Sequence, residues 1–198
     1  LMVIGSIAGM AKQSMGELAF LAVAILAVGN AAGRIVAGTL SDRIGRTLTL
    51  SLMLMFQAVL MFIAIPIVSA QPSSALLIVL IATGIGFNYG TNLALFPAIT
   101  KDNWGLKNFG TNYGLLMTAW GMGGFVLGRA SEMMKAATGD YVMSFGVAGT
   151  LLVIAAVLMM LKDLFNQMVK AGVTAELTRQ AEEAAQAAAL QPAMERVA

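Results

Sequence analysis

An all-α membrane bundle is the fold class this sequence predicts, and three observations predict it. Of the 198 residues, 59% are hydrophobic and 11% charged, with a mean hydropathy of +0.82; soluble domains carry about 25% charged residues. Apolar runs of about 20 residues, the length at which a helix crosses a bilayer, recur along the chain. Up to Lys162, every charge except that of Arg34 falls between those runs. A soluble surface cannot be assembled from such a chain.

The same composition excludes several kinds of chemistry. The absence of cysteine removes disulfides, thiolate nucleophiles and thiol-bound clusters, and the absence of histidine removes the commonest general base and metal ligand. Neither a cofactor nor a metal is therefore expected. Net charge is +2, and the sequence pI of about 9.1 reflects a few loop residues rather than a patch for nucleic acid.

The elements follow in order. Leu1 to Met10, LMVIGSIAGM, starts inside an apolar run and stops after about ten residues, too short to cross. Without a preceding basic stretch or a following cleavage site it does not read as a signal peptide. It reads as the end of a helix truncated upstream, so the chain is expected to be a piece of a longer protein. Complete spans are expected at Leu18 to Leu40, Thr47 to Val68, Ser74 to Ile99, Phe109 to Gly128 and Tyr141 to Leu161. Residues 1–162 thus form a six-helix membrane domain with its first helix incomplete. Residues 163–198, rich in Ala, Glu and Gln, form a solvated tail, helical or disordered, because they lack the large apolar side chains that bury a face.

Loop charges orient the bundle. Arg43, Arg46, Lys101, Lys107 and Lys162 share one side, and the SAQPSS loop on the other carries none, although Lys12, Arg129 and Lys135 also fall there beside Glu17, Glu132 and Asp140. By the positive-inside rule the first side, and with it the C-terminal tail, is cytoplasmic, which places the protein in the cell's inner membrane. Small-xxx-small pairs at Gly5/Gly9, Gly29/Gly33, Gly86/Gly90, Gly110/Gly114 and Gly124/Gly128 suit close helix packing. Pro97 is expected to kink or end its helix. Trp104, beside Asp102 and Lys107, reads as an interfacial anchor.

Between the first two complete spans lies Gly38 to Arg46, GTLSDRIGR. Gly38 and Gly45 permit a tight turn, while Asp42, Arg43 and Arg46 offer charge-assisted hydrogen bonds at helix ends. The pattern GxLxDRxGR resembles the signature loop of the major facilitator superfamily, carriers built of two six-helix halves. The resemblance implies a gating loop that latches the cytoplasmic side against the other half, here a missing N-terminal partner. A loop that only satisfies topology is the plainer reading.

Arg34 is the one cation within a span. An arginine near mid-bilayer costs at least about 2.5 to 3.5 kcal/mol, so it faces either a watery cavity or, by snorkelling, the cytoplasmic edge. In a cavity it would anchor a carboxylate through its bidentate fork. Asn88 and Asn92 lie one turn apart with Tyr89 beside them, and Tyr113 and Trp120 follow in the next span; such groups either glue helices or line a cavity.

The segment Phe87 to Gly124, with its NYGTN, FPAIT and NYGLL runs, resembles the oxalate/formate antiporter family of the superfamily. That likeness implies the C-terminal half of a carrier that moves small organic anions by alternating access, with substrate contacts at Arg34, Asn88, Tyr89, Asn92, Tyr113 and Trp120. Oxalate-carrying members have a lysine in the later helix where this chain has Trp120, so a lone arginine suits a monocarboxylate at least as well. The small carboxylate, the bilayer and the missing half are the expected partners. The alternative is a receptor or assembly subunit that keeps the fold without transport. An enzyme is not expected, because apart from Arg34 the spans hold no acid, lysine, histidine or cysteine for proton transfer.

Overall fold

The computed structural model describes residues 19–69 and 75–195, and every described element is a helix. In order these are α1 (Ala19–Ile44), α2 (Arg46–Ser69), α3 (Ala75–Trp104), α4 (Phe109–Thr138) and α5 (Val142–Glu195). The expected truncated segment Leu1 to Met10 lies outside the described residues.

Four of the helices contain stretches long and apolar enough to cross a membrane: Ala24–Ile44, Arg46–Ile67, Leu76–Trp104 and Val142–Ala184. α4 has the length, at 30 residues, but Asn112, Thr118 and its many glycines dilute its apolar character. The fifth expected span is therefore a helix whose membrane character is weaker than its neighbours'.

The predicted turn at Gly38 to Arg46 is much shorter than the motif. α1 runs to Ile44, so Gly38 is a helix-interior residue with ordinary backbone, and Arg46 already belongs to α2. The whole break is Gly45, at φ 91°, a left-handed conformation that glycine adopts without a Cβ penalty. Its N–H donates to Ser41 O at 3.1 Å, and its own carbonyl accepts from Thr49 N–H at 3.1 Å. One residue closes a helix and opens the next. Pro97 does not end α3, which continues to Trp104.

α3 is the central helix. From Ile81 to Thr100 each of its residues is buried or half-buried. It meets α1 backbone to backbone: a Cβ on Gly29 would come within 2.6 Å of Thr83 O, and one on Gly86 within 2.5 Å of Leu26 O. Gly33 and Gly90 are tighter still, against the carbonyls of Phe87 and Asn30. Two of the expected small-residue pairs thus interlock with one another. On its α2 side, α3 seats Gly84 against Leu60 and sends the Asn88 amide to Met53 O. Leu26, Met61, Ala64, Ala82, Ile85 and Phe145 bring α1, α2, α3 and α5 into one apolar core.

The chain divides into two units, Leu1–Leu158 and Met159–Ala198. In the second, helix continues to Glu195, and the side chains from Leu164 to Ala184 are exposed. Its polar residues hold one another along the helix: Arg179 pairs with Glu176 at 2.9 Å and Glu183 at 3.9 Å, and Gln180 donates to Glu176 at 3.0 Å. Such exposed pairs add only about 0.3 to 0.5 kcal/mol each.

Candidate functional site

Three polar groupings stand out in the first unit, and each is set by where a helix face points. The first is a knot at the α1–α2 turn. The Arg46 guanidinium, at the start of α2, binds the Asp102 carboxylate at the end of α3, donates to Ser41 Oγ at 3.2 Å and lies 3.6 Å from Asp42. Ser41 is buried and donates in turn to Gly38 O at 2.8 Å. One arginine therefore ties two helix ends of α1 and α2 to the end of α3. Arg43, exposed beside it, makes no ion pair among the described residues.

The second grouping surrounds Arg34. On the helical wheel of α1, Leu26, Gly29, Gly33 and Ala37 form the buried stripe against α3. Arg34, Ala27, Gly38 and Ala31 occupy the adjoining arc of about 60°. The bulky side chains of Val28 and Ile35, 69% and 71% exposed, lie on the far side. Arg34 Nε donates to Asn30 Oδ1 at 3.1 Å, one turn back, which steadies the guanidinium along the helix. No carboxylate lies within ion-pair distance of it among the described residues. The exposed surface of α1 thus has a bulky apolar side suited to lipid and a small-residue side that carries the cation.

The third is a half-open cavity of about 420 Å³ between α2, α3, α4 and α5. Its lining includes Gln57, Tyr89, Asn92, Trp120 and Ser144 amid Met61, Ile85, Leu127 and Leu152, with no charged side chain. The Tyr89 and Trp120 rings are 6.2 Å apart and tilted by 35°. The side-chain carbonyl oxygens of Gln57 and Asn92 are sealed from solvent and have no hydrogen-bond partner. A buried acceptor left unpaired costs about 1 to 3 kcal/mol.

The six substrate contacts expected from sequence are therefore not gathered at one point. Tyr89, Asn92 and Trp120 share the cavity, and Arg34 is not among its lining. Asn88 is 1% exposed and serves as interhelical glue to α2. Tyr113 stacks on Phe109 one turn earlier, with centroids 5.6 Å apart and rings 7° from parallel.

Against this geometry, a family model described as Major Facilitator Superfamily matches residues 2–191. The chain belongs to the major facilitator superfamily. A curated relative, described as the uncharacterized MFS-type transporter YhjX of Escherichia coli (strain K12), is 28% identical over 122 residues. That match covers 58% of this chain and 29% of the relative, so the chain corresponds to well under half of the relative's length. Together with its apolar helices, membership in the superfamily makes this a multi-pass membrane protein of a transporter family.

Sequence reading missed two members of these groupings. In the sequence Asp102 reads only as a neighbour of Trp104; it is an acid at the end of a span, and its partner is the arginine that opens α2, 56 positions away. Gln57 was overlooked inside an apolar span, where a lone amide needs a partner.

Proposed function

We propose that this superfamily chain works within a longer secondary carrier for small organic anions, and that Arg34 is the group that takes the substrate carboxylate. The observation that carries the reading is an arginine inside a span with no acid within ion-pair distance among the described residues, standing on the small-residue arc of α1 rather than among its bulky apolar side chains. A guanidinium costs several kcal/mol in hydrocarbon unless water or an anion meets it. The small arc leaves room for both, and the Asn30 bond holds the fork in one orientation. Carboxylate binding by two parallel N–H donors follows from the geometry of arginine.

A single cation favours a monocarboxylate such as formate, lactate or pyruvate over a dianion. The likeness to the oxalate/formate antiporter family supports the organic-anion class. The turn around Gly45, with Asp42, Arg43 and Arg46, then gates the cytoplasmic side, Arg43 being the charge left over for the other half of the carrier. Asp102 brings Lys101 to the same end as Arg43 and Arg46, which supports the inner-membrane orientation with a cytoplasmic C-terminus.

Uptake of labelled formate, lactate and oxalate into proteoliposomes by the full-length protein tests this reading. Wild type is expected to accumulate a monocarboxylate, and Arg34→Ala to lose about 10²-fold or more, as expected when a bidentate charge-assisted contact of about 3 kcal/mol disappears. Arg34→Lys is expected to restore only part of that. Background uptake by wild type for every anion would replace the carrier with a receptor, and full uptake by Arg34→Ala would remove Arg34 from the substrate site.

A further inference from the structure

The cavity between α2, α3, α4 and α5 does not fit the anion reading. Among the described residues its walls carry no cation to attract a carboxylate and no acid to attract an ammonium group. They do provide two aromatic faces, Tyr89 and Trp120, an aliphatic floor of Met61, Ile85 and Leu152, and the two amides of Gln57 and Asn92. At about 420 Å³ it is within the range of small-molecule sites, which run from about 300 to 1,000 Å³.

The amides give this space its chemical preference. The oxygens of both lack any partner, whereas most buried acceptors in folded proteins find one; Asn88 Oδ1 and Ser131 Oγ, also unpartnered, are not part of the lining. The terminal amide torsion of Asn and Gln is broad, so a modest turn brings either the carbonyl or the NH2 group of each towards the cavity. A ligand hydroxyl can donate to the carbonyl oxygen of one amide and accept from the NH2 group of the other. Apolar walls with two neutral hydrogen-bonding groups select an uncharged molecule, because desolvating an ion there would find no compensating charge.

We infer that this cavity is a binding site for an uncharged amphipathic molecule, an apolar ring-sized body bearing a hydroxyl or similar donor, and that it is separate from the anion site at Arg34. The ring lies against Trp120 and Tyr89 and the donor reaches Gln57 or Asn92. Because the lining excludes Arg34, the site stands whether or not the anion reading does.

The test uses the full-length protein labelled with 5-fluorotryptophan, with the Trp120 fluorine resonance identified by its loss in Trp120→Phe. Four probes of one shape are titrated: cyclohexanol, methylcyclohexane, cyclohexanecarboxylate and cyclohexylammonium. Cyclohexanol is expected to move the Trp120 resonance saturably, with each of the other three at least about tenfold weaker. The double variant Gln57→Leu/Asn92→Leu, its fold checked by an unmoved Trp104 resonance, is expected to bind cyclohexanol no better than methylcyclohexane; Gln57→Met alone provides a milder version of the same loss. Arg34→Gln is expected to leave every titration unchanged. Cyclohexanecarboxylate binding as tightly as cyclohexanol and weakened by Arg34→Gln would overturn the inference and make the cavity part of the anion site. A Trp120 resonance unmoved by all four, or shifting without saturation as for partition into detergent, would overturn it outright.

Discussion

At the α1–α3 seam a Cβ on Gly29 or Gly86 would press to within 2.6 or 2.5 Å of a facing backbone carbonyl, whereas a Cβ on Gly110, Gly114, Gly121 or Gly128 of α4 would meet nothing within 4 Å. Both regions carry glycines at the same four-residue spacing. In the first, glycine lets two backbones touch. In the second it leaves a smooth face that no described residue covers, although every glycine there lowers helix stability by about 0.5 to 1 kcal/mol relative to alanine. Spacing alone therefore identifies where helices are able to approach, and only the fold tells which approaches this chain makes with itself. The glycine face of α4, which no described residue covers, has the shape for close approach by another helix.

The sharpest way to break this contrast is to write alanine into each region. Gly33→Ala places its methyl group against the Phe87 carbonyl, a backbone atom that cannot move aside without shifting a helix. Overpacking of this kind costs about 1 to 3 kcal/mol, which outweighs the helix propensity gained. Gly114→Ala adds a methyl group where this chain offers no obstacle, and is expected to raise stability by up to about 1 kcal/mol. Thermal unfolding of the purified full-length protein reads both changes. Equal losses at the two positions would mean that α4 is packed as closely as α1, by a partner outside these helices.

A smaller effect distinguishes the two ends of α3. Asp102→Asn removes the carboxylate that Arg46 grips across the α1–α2 turn, leaving the arginine with Asp42 and Ser41. Both side chains are partly exposed, 31% and 48%, so the loss is expected to be about 0.5 to 1 kcal/mol and to shrink in high salt. A loss unaffected by salt would indicate a pair shielded from solvent by neighbours beyond the described residues.

How far sequence carried the reading depends on the range of the interaction. The helices, the glycine break at position 45 and the seam pairs were legible because each is fixed within a turn or two of chain. Asn88 and Asn92 were not separable, since both are amides one turn apart; the roughly 40° between them on the wheel sends one into the α2 backbone and the other to the cavity wall. Gly38 read as a turn residue because the motif surrounds a turn, yet a single left-handed glycine already makes it. Asp102 and Gln57 acquire their roles only when distant segments meet, and no local pattern announces them. Arg34 was legible as an anomaly, a cation in hydrocarbon, whereas its neighbours on the small arc became visible only once the buried stripe of α1 was known.

The smallest expected effect lies at the opposite end of α4 from the expected cytoplasmic loops. Lys135 Nζ donates to the Tyr141 hydroxyl at 3.0 Å and stands 4.4 Å from the centre of that ring, and the hydroxyl donates to Glu132 at 3.3 Å. The hydrogen bond with Tyr141, followed by the charge Tyr141 acquires on ionising and that of Glu132, holds the lysine above its ordinary value of 10.5. A folded-state value that is raised means that this clip contributes fully at any pH below the ordinary lysine range, and that its contribution fades only as pH climbs through the raised value. Lys135→Met is therefore expected to lower Tm by the same small amount at pH 6, 7.5 and 9, with the difference from wild type narrowing only in more alkaline solution. A gap that opened or closed between pH 6 and 7.5 would count against the lysine, whose raised value lies well above that interval.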